Sequence, residues 1–136
     1  MQRLSRAELQ TFIDGNTVLF GTAERPGLML TDNNEVVKSF YRRKLISSST
    51  LVPQAQRFTT NSRKLMEKGI SAPVVKDIIH CPEYPLHMVV YDRIDGKDLR
   101  ELCDELGSSQ LGLVPEYLAH LHQQGVFFRA IHLGNL

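Results

Sequence analysis

Five β-prone runs, punctuated by turn residues and interrupted once by a stretch of helical period, limit how this chain can fold. Residues 17–21, TVLFG, form the first run and end in glycine. Arg25-Pro26-Gly27 leads into a second, LMLT, which closes at Asp32-Asn33-Asn34, and EVVKSFY at 35–41 returns along it. The spacing predicts a three-stranded meander. From Pro53 to Lys68 the period changes: Ala55, Phe58, Ser62, Leu65 and Met66, with Leu51 before them, lie close to one helical face. Pro53 suits a first turn and Gly69 a stop. VVKDIIH at 74–80 and HMVVYDRI at 87–94 read as a hairpin whose second strand is apolar throughout, and therefore central and covered.

Asp95-Gly96 breaks that strand. Asp98 and Glu101 have capping-box spacing for a helix ending near Gly107, and Leu111, Val114, Leu118 and Leu121 mark a last helix that stops at Gly125. The terminal GVFFRAIHLGNL has no clear period, and Phe127 and Phe128 in it are read as core. Strands grouped before helices, rather than alternating with them, predict an α+β fold on an antiparallel sheet.

A length of 136 residues fits one modest core. Hydrophobic residues at 42% and charged residues at 23% exclude a disordered or low-complexity chain, and a net charge of +1 gives no reason to expect nucleic acid as a partner. No apolar run approaches the roughly 18 residues of a membrane span, and MQRLSRAELQ contains no signal-peptide core, so the expected compartment is the cytoplasm. Cys81 and Cys103 form no C-x-x-C pair and are read as free thiols.

Three segments in order carry a resemblance. Val36-Val37-Lys38 is similar to the Val-Ala-Ile-Lys strand of protein kinases, and MVVYDRIDGKDL at 88–99 to the connector between their lobes. HLHQQGVFFRAIHLGN at 120–135 resembles the run in which Leu-His-x-x-Gly-Val leads to His-Arg-Asp and then, at fixed spacing, to Asn. Over about residues 17–136 the chain resembles a protein-kinase-like phosphotransferase of the lipopolysaccharide (Kdo/heptose) kinase type, some of whose relatives are labelled toluene tolerance proteins.

The resemblance implies a small lobe at 1–94, with a sheet of about five antiparallel strands and the helix at about 53–68. Residues 95–136 would be the connector and the first two helices of a large lobe, ending inside the catalytic loop. It implies ATP and Mg²⁺ as cofactors, with a sugar or lipopolysaccharide-core hydroxyl as acceptor. Lys38 would hold nucleotide phosphates, and Tyr91, Asp92 and Arg93 would present backbone to adenine. Arg129 would brace the catalytic loop or meet substrate, and Asn135 would contribute to the metal site. Large-lobe helices without their usual cover would favour self-association.

The departures fall on chemistry. Phe128 stands for the motif histidine, and Ala130 for the aspartate that accepts the hydroxyl proton, a task a methyl group cannot perform. His132 is a candidate substitute, or a stabiliser of the transferred phosphoryl group. The loop FGTAERPG offers only Gly21 and Gly27 for backbone approach to phosphate, and the Asp-Phe-Gly segment, which the resemblance would place after Asn135, does not occur in residues 1–136. The helical glutamate that pairs with the strand lysine is expected at Asn61, with Glu67 as a more distant alternative. Whether the chain is an enzyme is therefore open. A noncatalytic kinase-like binding or interaction module is the alternative.

Bland readings accompany several of these residues. Lys38 could be a solvated lysine guarding an edge strand. His120 and His122, two apart on a helix, point to different faces and read as structural rather than metal-binding. Tyr41-Arg42-Arg43-Lys44 is either an anion patch or a solvated strand end, Asp92 a charged rim and Asp95-Gly96 a turn.

Overall fold

A computed structural model of the chain describes residues 1–41, 53–97, 107 and 112–127. The chain divides into two compact units, Met1–Ile94 and Asp95–Leu136.

In the first unit the order is β1 (Gln2–Arg3), α1 (Arg6–Asp14), β2 (Thr17–Gly21), β3 (Pro26–Leu30), β4 (Glu35–Tyr41), α2 (Gln54–Glu67), β5 (Val75–Cys81) and β6 (Leu86–Asp92). All six strands share one sheet in the order β1-β5-β6-β4-β3-β2. The expected meander and hairpin are both present, and β6 joins them by pairing antiparallel with β4 and with β5. The expectation of five antiparallel strands needs correction. A sixth strand, β1, lies parallel to β5, so the sheet is mixed, and Leu4 N–H continues the pairing to the His80 carbonyl at 3.0 Å. The fold class remains α+β.

Strand alternation gives the sheet two faces. On one, Met29, Val37, Ile79, Cys81, Leu86, Met88 and Val90 pack with Leu4 and with Leu9 and Ile13 of α1. Cys81 there is a buried free thiol. The other face carries Val36, Lys38 and Phe40 of β4 beside their β6 partners Tyr91, Val89 and His87. Helix α2 lies against this second face through Phe58, with Ala55 and Ser62 buried beside it.

Helix α1 is an addition to the expected architecture. It starts at a complete capping box: Ser5 Oγ accepts from Glu8 N–H, while Ser5 N–H donates to the Glu8 carboxylate at 2.8 Å. The Ser5 backbone N–H and hydroxyl hold the Glu8 carboxyl below its ordinary range. Arg6 N–H reaches Glu83 at 3.3 Å, tying the helix start to the β5–β6 turn. Helix α2 begins at Pro53 with no side-chain cap and ends where Gly69, at φ +73°, turns the chain so that Ile70 N–H donates to the Leu65 carbonyl at 3.0 Å.

In the second unit, α3 (Leu113–Gln123) is the described helix; the expected helix at 98–106 and Cys103 lie outside the described residues. Gly125 at φ +72° ends α3, and Val126 N–H bonds the Leu121 carbonyl at 2.9 Å. Leu121 is fully buried. Phe127 is not core as expected: it is 72% exposed and stacks on His122 at 5.0 Å between ring centroids. Among the described residues no helix is long and apolar enough to cross a membrane.

The two faces make separable predictions for urea unfolding. Met88→Ala opens a cavity against α1 and should cost about 2–5 kcal/mol. Ser5→Ala removes one cap and should cost about 1 kcal/mol. A Met88→Ala cost no larger than that of Ser5→Ala would mean the α1 face is not the principal core.

Candidate functional site

Lys38 sits in the middle of β4, which has β3 on one side and β6 on the other. It is therefore not an edge-strand lysine. Its cross-strand partners are Leu28 on β3 and Val89 on β6, and Leu30 pairs with Val36 two residues away. Paired residues share a face. Leu28, Leu30, Val36 and Val89 thus form an apolar strip on the sheet face that carries Lys38.

Across from this strip stands α2. The Lys38 Nζ lies 5.7 Å from the centroid of the Phe58 ring. Phe58 also meets Phe40 at 5.8 Å and Tyr91 at 5.7 Å, so one ring of the helix bridges β4 and β6. The expected helical partner, Asn61, is exposed, because the inward face of α2 is made by Ala55, Phe58, Thr59, Ser62 and Leu65. Glu67 is exposed as well and faces Arg63 at 3.7 Å. Among the described residues no carboxylate lies within ion-pair distance of Lys38.

The residues proposed for the adenine edge separate into different roles. Tyr91 is flanked by Val36 and Val75, and its ring lies on the Lys38 face, where it meets Phe58. Burial pushes the Tyr91 phenol above its ordinary value. Asp92 pairs with Glu35 across the strands, and both carboxylates bind Lys76, at 2.6 Å and 2.8 Å. Hydrogen bonds from Lys76 first to Asp92 and then to Glu35 hold its ammonium above the usual range. Arg93 N–H donates to the Asn34 carbonyl at 3.4 Å, in the turn where Asn34 takes φ +60°. Lys76, Glu35 and Asp92 thus close the end of the sheet where β6 ends.

At the opposite end, the β2–β3 connection folds upon itself. Arg25 N–H donates to the Thr22 carbonyl and Thr22 N–H to the Arg25 carbonyl, at 3.1 Å and 3.4 Å. Gly21, at φ +98°, permits this closure: a Cβ there would lie 2.6 Å from the Arg25 carbonyl oxygen. The loop spends these two amides internally rather than holding them open to an anion. Arg25 extends over the Tyr41 ring, 4.6 Å from its centroid, and the Tyr41 hydroxyl donates to the Pro26 carbonyl at 3.0 Å. An open groove of about 730 Å³ runs past Gly21, Arg25, Gly27, Ser39, Phe40 and Gln54.

Arg129, Ala130, His132 and Asn135 lie outside the described residues, as do Arg42, Arg43 and Lys44. His120 and His122 are exposed on α3, and among the described residues no three His, Cys, Asp or Glu side chains converge as a metal site. The geometry adds Phe58 and Phe40, which sequence reasoning had not placed at the site. Their signal was available: Phe40 alternates with Lys38 on one strand face, and Phe58 is on the apolar face of α2.

No family model matches this sequence, and no curated protein matches it.

Tyr91 supplies a pH test. A phenol whose folded pKa is raised stabilises the fold fully below the unfolded value, about 10, and loses that contribution as pH rises through the folded value. Tyr91→Phe should therefore flatten the alkaline fall in urea midpoint above about pH 10, leaving a remainder from Tyr41, whose phenol is also raised, by burial and by Tyr84. An unchanged alkaline limb would contradict a half-buried Tyr91.

Proposed function

We propose that the first unit is the nucleotide-binding small lobe of a protein-kinase-like phosphotransferase. It takes ATP with Mg²⁺ and serves transfer to a hydroxyl of a sugar or of lipopolysaccharide core. One observation carries the proposal: a lysine in the centre of a sheet strand, directed at a helix, within the order meander, helix, hairpin, where the last hairpin strand inserts beside the lysine strand. A lobe of this kind needs that order because it puts the lysine, the helix and the strand leading to the connector beside one another.

In this assignment Lys38 attracts the phosphates. Leu28, Leu30 and Val36 supply the apolar surface for the base, and the backbone beyond Asp92 faces its polar edge. The resemblance assigns Arg129 to bracing, Asn135 to the magnesium site and His132 to the reacting centre, where its imidazole could accept the hydroxyl proton that Ala130 cannot. Mg²⁺, when bound, neutralises charge developing on the transferred phosphoryl group. A cytoplasmic location, where ATP is at hand, agrees with this assignment.

A noncatalytic kinase-like module is the second reading. Three observations favour it: Ala130 in the motif, the absence of a carboxylate beside Lys38 among the described residues, and the self-bonded β2–β3 loop.

A thermal-shift titration of the whole chain with ATP and Mg²⁺ tests the shared premise. Nucleotide at about 100 times its dissociation constant should stabilise by about 2.7 kcal/mol, and Lys38→Ala should abolish the shift. No shift in the wild-type chain, or an equal one in Lys38→Ala, would remove the nucleotide site. Phosphoryl transfer to a sugar acceptor would then separate the enzyme from the noncatalytic module.

A further inference from the structure

A strand lysine that serves anionic phosphates must be held in place, or its flexible stem samples many rotamers and each bound phosphate pays to order it. An ion pair with a helix carboxylate would hold it, yet the inward positions of α2 are Ala55, Phe58, Thr59, Ser62 and Leu65. None is acidic. Among the described residues the face of the sheet around Lys38 is equally free of carboxylates, since Leu28, Leu30, Val36, Phe40, Val89 and Tyr91 occupy it.

We infer that Phe58 is the positioning residue for Lys38, its ring holding the ammonium in the place of a carboxylate. The ammonium is 5.7 Å from the ring centroid, inside the range where the negative face of an aromatic ring attracts a cation. The ring is fixed from two directions: Phe40 meets it at an interplanar angle of 52° and Tyr91 at 34°. Phe40 and Tyr91 belong to adjacent strands, so the aromatic trio fastens α2 to the sheet and presents a defined surface to the lysine.

This arrangement differs from an ion pair in its electrostatics. A carboxylate would cancel most of the lysine's charge and compete with an incoming anion. A neutral ring attracts the cation without cancelling its net charge, so the positive charge of Lys38 stays available to a phosphate group. The functional consequence rests on the nucleotide reading above, whereas the contact itself does not.

Proton NMR of the whole chain tests both parts. A ring beside the Lys38 ε-methylene moves its resonance upfield, and loss of the signal in Lys38→Arg assigns it. Phe58→Leu and Phe58→Met each remove the ring while keeping apolar volume; Phe58→Trp keeps a ring. The upfield shift should vanish in both ringless variants and persist in Phe58→Trp. In a folded ringless variant, ATP with Mg²⁺ should bind about two- to fivefold more weakly, with Phe58→Trp near the wild type.

A wild-type Lys38 without an upfield shift would overturn the inference, as would a folded ringless variant with unchanged ATP affinity. An upfield shift that depends on the ring, in a chain that binds no ATP, would support the contact and overturn the nucleotide reading alone.

Discussion

Along β6, Leu86, Met88 and Val90 point to one face of the sheet and Val89 to the other, and all four are withdrawn from water. A strand buried on both faces needs a cover on each and a hydrogen-bonded neighbour on each edge. Helix α1 and α2 provide the covers, and β4 and β5 the neighbours. The insertion of β6 between β5 and β4 thereby joins a local meander to a local hairpin. It also places Lys38 beside the last strand of the first unit.

The two faces have different characters. Against α1 the contacts are aliphatic and sulfur-containing, with Met29, Met88 and Cys81 in one buried cluster with Leu9 and Ile13. Against α2 they are aromatic, and a cation lies among them. A lysine on a covered face of a central strand is costly unless its ammonium reaches water or a partner. Half-burial of Lys38 and its approach to Phe58 meet that cost together. At one end of the same sheet, Lys76 with Glu35 and Asp92 binds three strands by charge, and at the other Tyr41 joins Pro26, Arg25 and Tyr84.

Much of this was legible in the sequence because it depends on local chemistry. The meander at 17–41 follows from Gly21 and Asp32-Asn33-Asn34, and the central place of β6 from its unbroken apolar run. Helix α2 follows from Pro53, Gly69 and the period between them. The N-terminal elements were not anticipated, although Ser5 and Glu8 have capping-box spacing before Leu9, Phe12 and Ile13. Strand β1 has two residues and pairs in parallel with β5 across most of the unit, a long-range contact for which no turn gives notice. At the site, Lys38 was legible and its partner was not. Aligning the motif put a polar partner at Asn61, but successive helix residues are about 100° apart. The neighbouring Ser62, on the same face as Ala55, Phe58 and Thr59, is the one turned inward.

The central claim is that the Lys38 face of the sheet receives nucleotide phosphates. Amide chemical-shift mapping during titration of the whole chain with ATP and Mg²⁺ addresses it most directly. The predicted result is a set of perturbed amides at Leu28–Leu30, Val36–Lys38 and the residues after Asp92, with α1 and β1 unchanged. Perturbations confined to α1 and β1, or none at saturating nucleotide, would contradict the account.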